Sequence, residues 1–513
     1  MRDWIRMESP SADRKFAGVV RSNSVDDPDS NKSPSKSKSA SAHDPSNSVD
    51  AATFGQADAQ ALQPQGGDTP QPQSISYRVY KRRWFGLFQL VLLNIIVSWD
   101  WLTFAASSET TATYFKTSES NVNWLSTGFL FAFAVVSPVT LWTLHLGPKP
   151  SIIASAVLIL VGNWIRYGGT RSNIFGVVVF GQVIIGFAQP FVLAAPTRYS
   201  DLWFTDRGRV SATAIASLAN PFGGALGQLI GPIWAANPPD VPNLVLYVSI
   251  ISTVAALPSF FVPAKPPTPP SASSALEKPH VLESLNSLSG NRSFWLVFVA
   301  FSIYVGFFNA ISSLLNQILE PYGLSQNEAG IAGAILIVVG LVAAAISSPI
   351  IDRTKKYLLM IRLCVPLIGL SYLVFIWAPP TGGLPAPYVI LAVLGASSFA
   401  LVPVALEYLV EVTWPASPEV TSVVSWTGGQ ILGGIFIVIM NALKDSSGRH
   451  GPKNNMQQAL IFQAVIAMVT IIPPMLLGFK RFGTGGNTAG RLMADRRMTQ
   501  AVEQIEGQTM SAE

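Results

Sequence analysis

The sequence predicts an all-α membrane protein with twelve transmembrane helices in two bundles of six. Two observations favour this fold class. Of the 513 residues, 49% are hydrophobic and only 12% are charged, roughly half the charge that soluble domains carry. The apolar residues also fall into long runs, and a helix needs about 20 of them to cross a bilayer. Lipid is therefore expected to cover most of the surface.

Twelve apolar runs are candidate spans, which we number in chain order. The clearest are the fourth, IFGVVVFGQVIIGFAQPFVLAAP, and the eighth, AGIAGAILIVVGLVAAAISSPII. Gly, Ala and Ser recur within several spans, which allows helix backbones to approach closely in lipid. The twelve runs cover residues 84–106, 124–146, 151–168, 174–196, 210–235, 243–263, 294–318, 328–350, 357–378, 386–410, 418–443 and 456–479.

The Lys and Arg residues near the ends of the spans predict the orientation. Loops on the cytoplasmic side of a membrane carry an excess of these residues. Sixteen of them fall on the side of the N-terminus and six on the opposite side. Both termini are therefore expected in the cytosol.

The hydrophilic segments divide the chain into five parts. Residues 1–80 are rich in Ser, Asp, Pro and Gln, a composition typical of a disordered tail. Residues 264–293 contain AKPPTPPSASSALEKPH, which predicts a cytoplasmic Pro/Ser linker between two six-helix bundles, 81–263 and 294–480. Residues 481–513 are predicted to form a second cytoplasmic tail.

The sequence contains none of the motifs that mark the common enzyme classes. It has no HExxH, GxSxG or P-loop pattern, so neither those hydrolytic chemistries nor ATP-driven pumping is expected. Its single cysteine, Cys364, excludes an intramolecular disulfide and cysteine metal motifs. We therefore expect no enzyme activity, no cofactor, no metal site and no nucleic-acid partner. A monomer that binds a small molecule within the bilayer is expected, and a receptor or scaffold remains an alternative.

Twelve spans joined by a central linker are the plan of the major facilitator superfamily, in which two pseudo-symmetric halves rock about a midplane cavity. The loop IIDRTKKY at 350–357 is similar to the acidic and basic loop motif of that superfamily. This resemblance makes Asp352 and Arg353 candidate gating residues. The corresponding loop after span two, LGPKPS, lacks the acidic residue.

Several longer motifs resemble the feline leukaemia virus subgroup C receptor-related transporters, in the same order along residues 81–480. The resemblance implies a secondary transporter for choline, ethanolamine or a pyridoxine-like compound, with haem export as an alternative. A coupling proton or other ion is left open, as is the choice between the plasma membrane and a vacuolar or lysosomal membrane. The motifs are RRWF at 82–85, NWLSTGFL at 123–130, GQVIIGFAQPFVLAAPTRYSDLWF at 181–204, LLNQI at 314–318, NEAGIAG at 327–333 and LEYLVEVTWP at 406–415.

The resemblance also implies the residues that line the cavity. Trp101 matches a tryptophan of the aromatic wall for choline, since an indole face attracts quaternary ammonium groups. Gln189 and Gln430 match glutamines of the central cavity, although either could instead bond two helices together. Asn309 falls where the family has a tyrosine, so one wall of the site is expected to be an amide.

Asp100 is a carboxylate at membrane depth, which is costly and marks a candidate functional residue. Three roles are open for it: binding a cationic substrate, carrying a coupling proton, or pairing with a polar group on a neighbouring helix. We include it among the candidate substrate-binding residues. Arg166 is expected to be an ordinary charge at the membrane interface, and Trp99 to contact lipid or protein.

Glu407 and Glu411 lie four residues apart, hence on one helical face at the cytoplasmic end of span ten. Arg198, at the matching end of span four, is a plausible partner for them. We expect these three residues to form a charge cluster that closes the cytoplasmic face.

Overall fold

The computed structural model describes residues 78–205, 208–271, 280–448 and 451–479, with the single positions 490, 491, 493, 497 and 500. Within these residues the chain is helical, and a single β-bridge joins Asp445 to Asn455. The predicted tails 1–80 and 481–513 lie almost entirely outside the described residues.

Twelve long helices follow one another, and each overlaps one of the predicted spans. We label them α1 to α12 in chain order. Their bounds are Arg82–Leu102, Glu119–Leu146, Pro148–Arg171, Phe175–Trp203, Arg209–Trp234, Pro238–Phe261, Arg292–Tyr322, Gln326–Thr354, Tyr357–Phe375, Pro385–Thr413, Pro418–Ala442 and Gln457–Met475.

Eleven of these helices, among the described residues, are long and apolar enough to cross a membrane. The remaining one is α5, whose 26 residues suffice in length. Its Gly, Ser, Asn and Gln residues lower the mean hydropathy of the helix. Eighteen of its residues are buried. Because α5 packs against other helices over most of its surface, it needs less apolar side-chain area than a lipid-facing helix.

Helix α1 is followed by a non-helical segment, and α4 is broken within its length. Helix α1 ends at Leu102 and gives way to turns over 103–107 before a short helix, Ser108–Phe115. Helix α4 breaks at Ala194, two residues before Pro196. Proline has no N–H to donate, so the carbonyl of Val192 is released from the helix. Asn94 of α1 donates its side-chain Nδ2 to that carbonyl at 2.9 Å.

The helices pack as two halves, α1–α6 and α7–α12. Helix α5 contacts α8, and α2 contacts α11, so these two pairs join the halves. Glycines allow the closest approaches within each half. A Cβ atom at Gly223 of α5 would lie 1.8 Å from the carbonyl oxygen of Ile95 in α1, and one at Gly395 of α10 would lie 1.7 Å from that of Leu336 in α8. Larger residues are excluded at both positions.

The predicted linker 264–293 contains a short helix, Val281–Ser289, which its Pro/Ser composition does not predict. The helix is attached to the second half, because the hydroxyl of Ser284 accepts a hydrogen bond from the backbone N–H of Ser417 at 3.2 Å.

Candidate functional site

A cavity lies between the two halves, with lining residues from both of them. Most of its lining is apolar, and no residue that lines it within the described part of the chain carries a charge. The polar side chains of the lining are amides and hydroxyls, from α4, α5, α7, α10 and α11. They are Gln189, Ser217, Asn220, Tyr304, Asn309, Ser398 and Gln430, and the indole N–H groups of Trp101 and Trp426 also belong to the lining.

The cavity brings together four of the five candidate substrate-binding residues: Trp101, Gln189, Asn309 and Gln430. They come from α1, α4, α7 and α11, so both halves contribute. The two amides of the second half are paired, because Asn309 Nδ2 donates to Gln430 Oε1 at 3.0 Å. Gln189 faces them from the first half without a direct bond to either.

Each half supplies an aromatic wall. Trp101 of the first half stacks on Phe129 with a centroid separation of 6.2 Å. In the second half, Trp426 meets Phe301 edge to face at 5.1 Å. Trp426 is not among the residues predicted from the sequence, although its position four residues before Gln430 puts it on the same face of α11. An indole therefore lines the half in which Asn309 replaces the tyrosine of the resembled family.

Four polar atoms of the lining are buried and have no hydrogen-bond partner among the described residues. Two are indole N–H donors, Trp101 Nε1 and Trp426 Nε1, and the others are Gln189 Oε1 and Ser217 Oγ. Buried polar groups are almost always paired in folded proteins. Each of these four atoms has almost no accessible surface, so a molecule in the cavity would reach them only after the lining side chains shift.

Asp100 does not line the cavity. Its carboxylate is fully buried and forms an ion pair with Arg166, with Asp100 Oδ1 2.8 Å from Arg166 Nη2. The expectation that Arg166 is an interface charge is wrong, since its side chain has no exposed surface. Trp99 is also buried and stacks on Trp234 at 6.0 Å, so it contacts protein.

A group of charged residues lies at one end of the bundle, which we call the Glu407 end. Arg491 reaches this end and places its Nη2 2.6 Å from Glu407 Oε2 and its Nε 3.3 Å from Glu411 Oε1. Burial alone would lower the pKa of the Arg491 guanidinium, but the charges of Glu407 and Glu411 raise it above its ordinary value. Glu407 also accepts a hydrogen bond at 3.1 Å from Thr213 of the first half.

The expected pairing of Arg198 with the two glutamates is wrong. Arg198 lies 3.7 Å from Asp201 and 3.8 Å from Glu419 of α11. It therefore still connects the halves, but through another acid. Arg491 carries no sequence signal for this role, because it lies 84 residues from Glu407 in a segment predicted to be a tail.

Asp352 also connects the halves at the Glu407 end. Its Oδ2 accepts hydrogen bonds from the backbone N–H of Ser211 at 2.9 Å and from the Ser211 hydroxyl at 2.5 Å. Ser211 is in the first turn of α5, where unpaired N–H groups favour a carboxylate. Arg353 is exposed and forms no ion pair within the described chain.

Contacts between the halves also occur at the opposite end, which we call the Glu119 end. Gln317 donates to Asn123 at 2.8 Å, and Lys444 lies 3.2 Å from Glu119. The cavity thus has cross-half contacts on both sides of it, charged at one end and largely amide-based at the other.

Comparison with known proteins gives consistent matches. The family profile described as Major Facilitator Superfamily matches residues 90–438. The chain is 35% identical over 401 residues to solute carrier family 49 member A3 from Danio rerio, covering 75% of this chain and 84% of the relative. It is 27% identical over 396 residues to the choline/ethanolamine transporter FLVCR2 from Homo sapiens, covering 74% of this chain and 75% of the relative.

Solved structures give the same fold. The outward conformation of the transporter FucP superimposes with a TM-score of 0.56 over 77% of this chain and 99% of FucP. An inward-facing bacterial homologue of the human lysosomal transporter Spinster gives 0.58 over 78% of this chain and 97% of that protein. At 14% identity in both cases, the likeness concerns the fold alone.

Proposed function

The chain belongs to the major facilitator superfamily and, within it, to the feline leukaemia virus subgroup C receptor-related family, and we propose that it carries choline or ethanolamine by alternating access. It is a multi-pass membrane protein of the secondary transporter class and not an enzyme. The observation that supports the proposed substrate is the uncharged, aromatic-walled cavity between the halves.

The chemistry of this cavity suits an organic cation of low hydration. The faces of Trp101 and Trp426 attract an ammonium group through the ring quadrupole, and this attraction grows when water is excluded. A carboxylate in the cavity would be costly when the site is empty, and the lining holds none. Two aromatic walls can therefore stabilise the cation without a buried countercharge.

The aromatic walls favour choline over ethanolamine. A quaternary ammonium has no N–H groups, so aromatic faces meet its needs without hydrogen bonds. The primary ammonium of ethanolamine has three donors, and leaving a buried donor unpaired costs about 1–3 kcal/mol. Gln189 Oε1 is unpaired and would accept from the hydroxyl, which choline and ethanolamine share, once its side chain turns towards the cavity.

We propose that the two sets of cross-half contacts are the gates of this transporter. The Glu407 end is assigned to the cytosol, in keeping with the distribution of Lys and Arg. The start of α1 and Arg491 both lie at this end, since Tyr199 donates to the carbonyl of Arg83 there and Arg491 contacts Glu407. This arrangement supports the expectation that both termini are cytosolic.

The experiment is counterflow into liposomes that contain the purified protein. Liposomes loaded with unlabelled choline should accumulate labelled choline, and the uptake should saturate. Ethanolamine should compete more weakly than choline, while pyridoxine and haem serve as alternative substrates in the same assay. Counterflow of pyridoxine or haem without that of choline would reject the proposed substrate, and a receptor or scaffold would show no counterflow at all.

Trp101→Ala tests whether the cavity is the binding site. Loss of the indole should cost about 1–2 kcal/mol, or roughly five- to thirty-fold in the affinity for choline. Trp164→Ala is the control, because Trp164 is 45% exposed on the outside of α3 and does not line the cavity. Equal affinities in both variants and the wild type would place the choline site elsewhere.

A further inference from the structure

The ion pair between Asp100 and Arg166 is embedded in a network that links four helices of the first half. Asn163 of α3 donates to Asp100 Oδ2 at 2.7 Å and accepts from Arg166 Nη2 at 2.7 Å. Ser252 of α6 lies 3.4 Å from Asp100 Oδ1. Gln182 of α4 accepts from Arg166 Nη1 at 2.9 Å. Each carboxylate oxygen is thus bonded, and no part of the network lines the cavity.

The network also binds the backbone of α1 at the place where the helix ends. Arg166 Nη1 donates to the carbonyl oxygen of Asp100 at 2.9 Å. Gln182 Nε2 donates to the same oxygen at 3.1 Å and to that of Trp101 at 3.4 Å. The last four carbonyls of a helix lack partners within it, and α1 ends at Leu102. Arg166 and Gln182 therefore cap this helix end, where a positive charge is favourable.

The guanidinium also contacts the chain beyond Trp101. It lies 5.7 Å from the ring centroid of Phe104, within the turns that follow α1. Trp101 has no polar anchor of its own, because its Nε1 has no hydrogen-bond partner within the described chain. The position of its indole therefore depends on the backbone and on stacking against Phe129.

From this geometry we propose that Asp100 and Arg166 are positioning residues for Trp101: they hold the end of α1 on both sides of this residue, and so set the affinity of the cavity for its cation. The expected effect on choline affinity rests on the proposed function, whereas the expected effect on the position of α1 does not. The pair itself never meets the substrate.

The test requires a variant that removes the Asp100–Arg166 ion pair without leaving a buried charge unpaired. Deleting one partner of a buried ion pair is strongly destabilising, whereas replacing both is often tolerated. Asp100→Asn combined with Arg166→Gln leaves the site neutral, and the shorter glutamine cannot span the guanidinium's contacts to the α1 backbone. Gln89→Leu is the matched control. Gln89 bonds α1 to α6 through Ser259 at 2.7 Å and lies three turns from Trp101.

The first measurement is hydrogen–deuterium exchange without substrate. Residues 99–107 should exchange faster in the double variant than in the wild type, and the Gln89→Leu control should leave this segment unchanged. Unaltered exchange over 99–107 in the double variant would overturn the proposal, whether or not the protein transports choline.

The second measurement is a double-mutant cycle on the KM for choline counterflow. The double variant should raise KM about tenfold, within the range of a weakened cation–π contact, and should leave the maximal rate near that of the wild type. In a Trp101→Ala background the same two substitutions should change KM by less than about twofold, because interacting sites are not additive. If the two substitutions raised KM by the same factor in the Trp101→Ala background as in the wild type, the positioning role would be overturned.

Retained counterflow together with a loss of proton-driven uptake in the double variant would instead assign Asp100 to proton coupling. If the wild type does not transport choline, the proposed substrate fails and the exchange measurement alone decides this proposal.

Discussion

The two halves hold their first helix by different chemistry. In the first half, α1 is bound to α3, α4 and α6 through charged and amide hydrogen bonds around Asp100 and Arg166. In the second half, the corresponding helix α7 forms no ion pair of this kind among the described residues: it meets its neighbours through aromatic rings and through uncharged hydrogen bonds, from Asn309 to Gln430 and from the Tyr304 hydroxyl to the carbonyl of Ala467. Phe307 stacks on Phe436 of α11 at 4.2 Å and contacts Tyr372 of α9 at 5.7 Å.

This difference suits what each helix presents to the cavity. Charge-assisted hydrogen bonds fix a backbone in one geometry, and α1 carries Trp101, whose indole has no polar anchor of its own. Helix α7 carries Asn309, which is oriented by its own bond to Gln430 at 3.0 Å. Aromatic packing is less directional than a charge-assisted hydrogen bond, so it is expected to constrain α7 less. The first half is therefore expected to tolerate substitution poorly at this depth, and the second half better.

The largest expected effect comes from Asp100→Asn alone. It leaves the Arg166 guanidinium buried without a countercharge, which should lower the free energy of unfolding by about 3–5 kcal/mol. Thermal unfolding of the purified protein in detergent measures the loss. Adding Arg166→Gln should restore much of it. A single variant as stable as the wild type would show that Asp100 is not ionised in the native pair.

In the second half, the charged residues Glu407 and Glu411 lie near the end of α10 and pair with Arg491. Arg491→Ala removes hydrogen bonds to Glu407 and Glu411, each worth about 1.5–3 kcal/mol when a charged group is involved. The two carboxylates then repel each other, which should favour opening of the Glu407 end.

Thiol labelling measures this opening. In a Cys364→Ala background, a cysteine introduced by Ala405→Cys lines the cavity and should react about tenfold faster after Arg491→Ala, as expected for a shift of about 1.4 kcal/mol. Arg198→Ala is the comparison variant and should have a smaller effect, because its ion-pair distances are 3.7 and 3.8 Å. If the cysteine at position 405 is labelled at the same rate with and without the Arg491→Ala substitution, Arg491 has no role in the gate.

The fold could be predicted from the sequence because a membrane imposes one dominant constraint. Each apolar run of about 20 residues had to become a helix, and all twelve did. Even α5 was recognised, although its apolar character is the weakest. What the sequence could not predict was the end of α1, since the turns at 103–107 contain neither Gly nor Pro; the break in α4 does have a sequence signal in Pro196.

The candidate site was predicted in part, and the errors have a common cause. Residues that match a motif, such as Gln189 and Gln430, were found, whereas partners distant in the chain were not. Asp100 was recognised as unusual, but Arg166, 66 positions away, was placed at an interface because the predicted span ended at residue 168. Helix α3 continues to Arg171, which places Arg166 more than a turn inside the helix end.

The smallest expected effect tests the aromatic side of the comparison. Phe307→Leu removes the ring stacked on Phe436 but keeps an apolar side chain of similar size, so the loss should be about 0.5–1.5 kcal/mol. Thermal unfolding beside Asp100→Asn gives the ratio of the two effects. Because the bond from Asn309 to Gln430 remains, the KM for choline should change by less than about twofold, which corresponds to about 0.4 kcal/mol. A loss of stability as large as that of Asp100→Asn, or a rise in KM as large as that of Trp101→Ala, would show that aromatic packing fixes α7 as rigidly as the ion pair fixes α1.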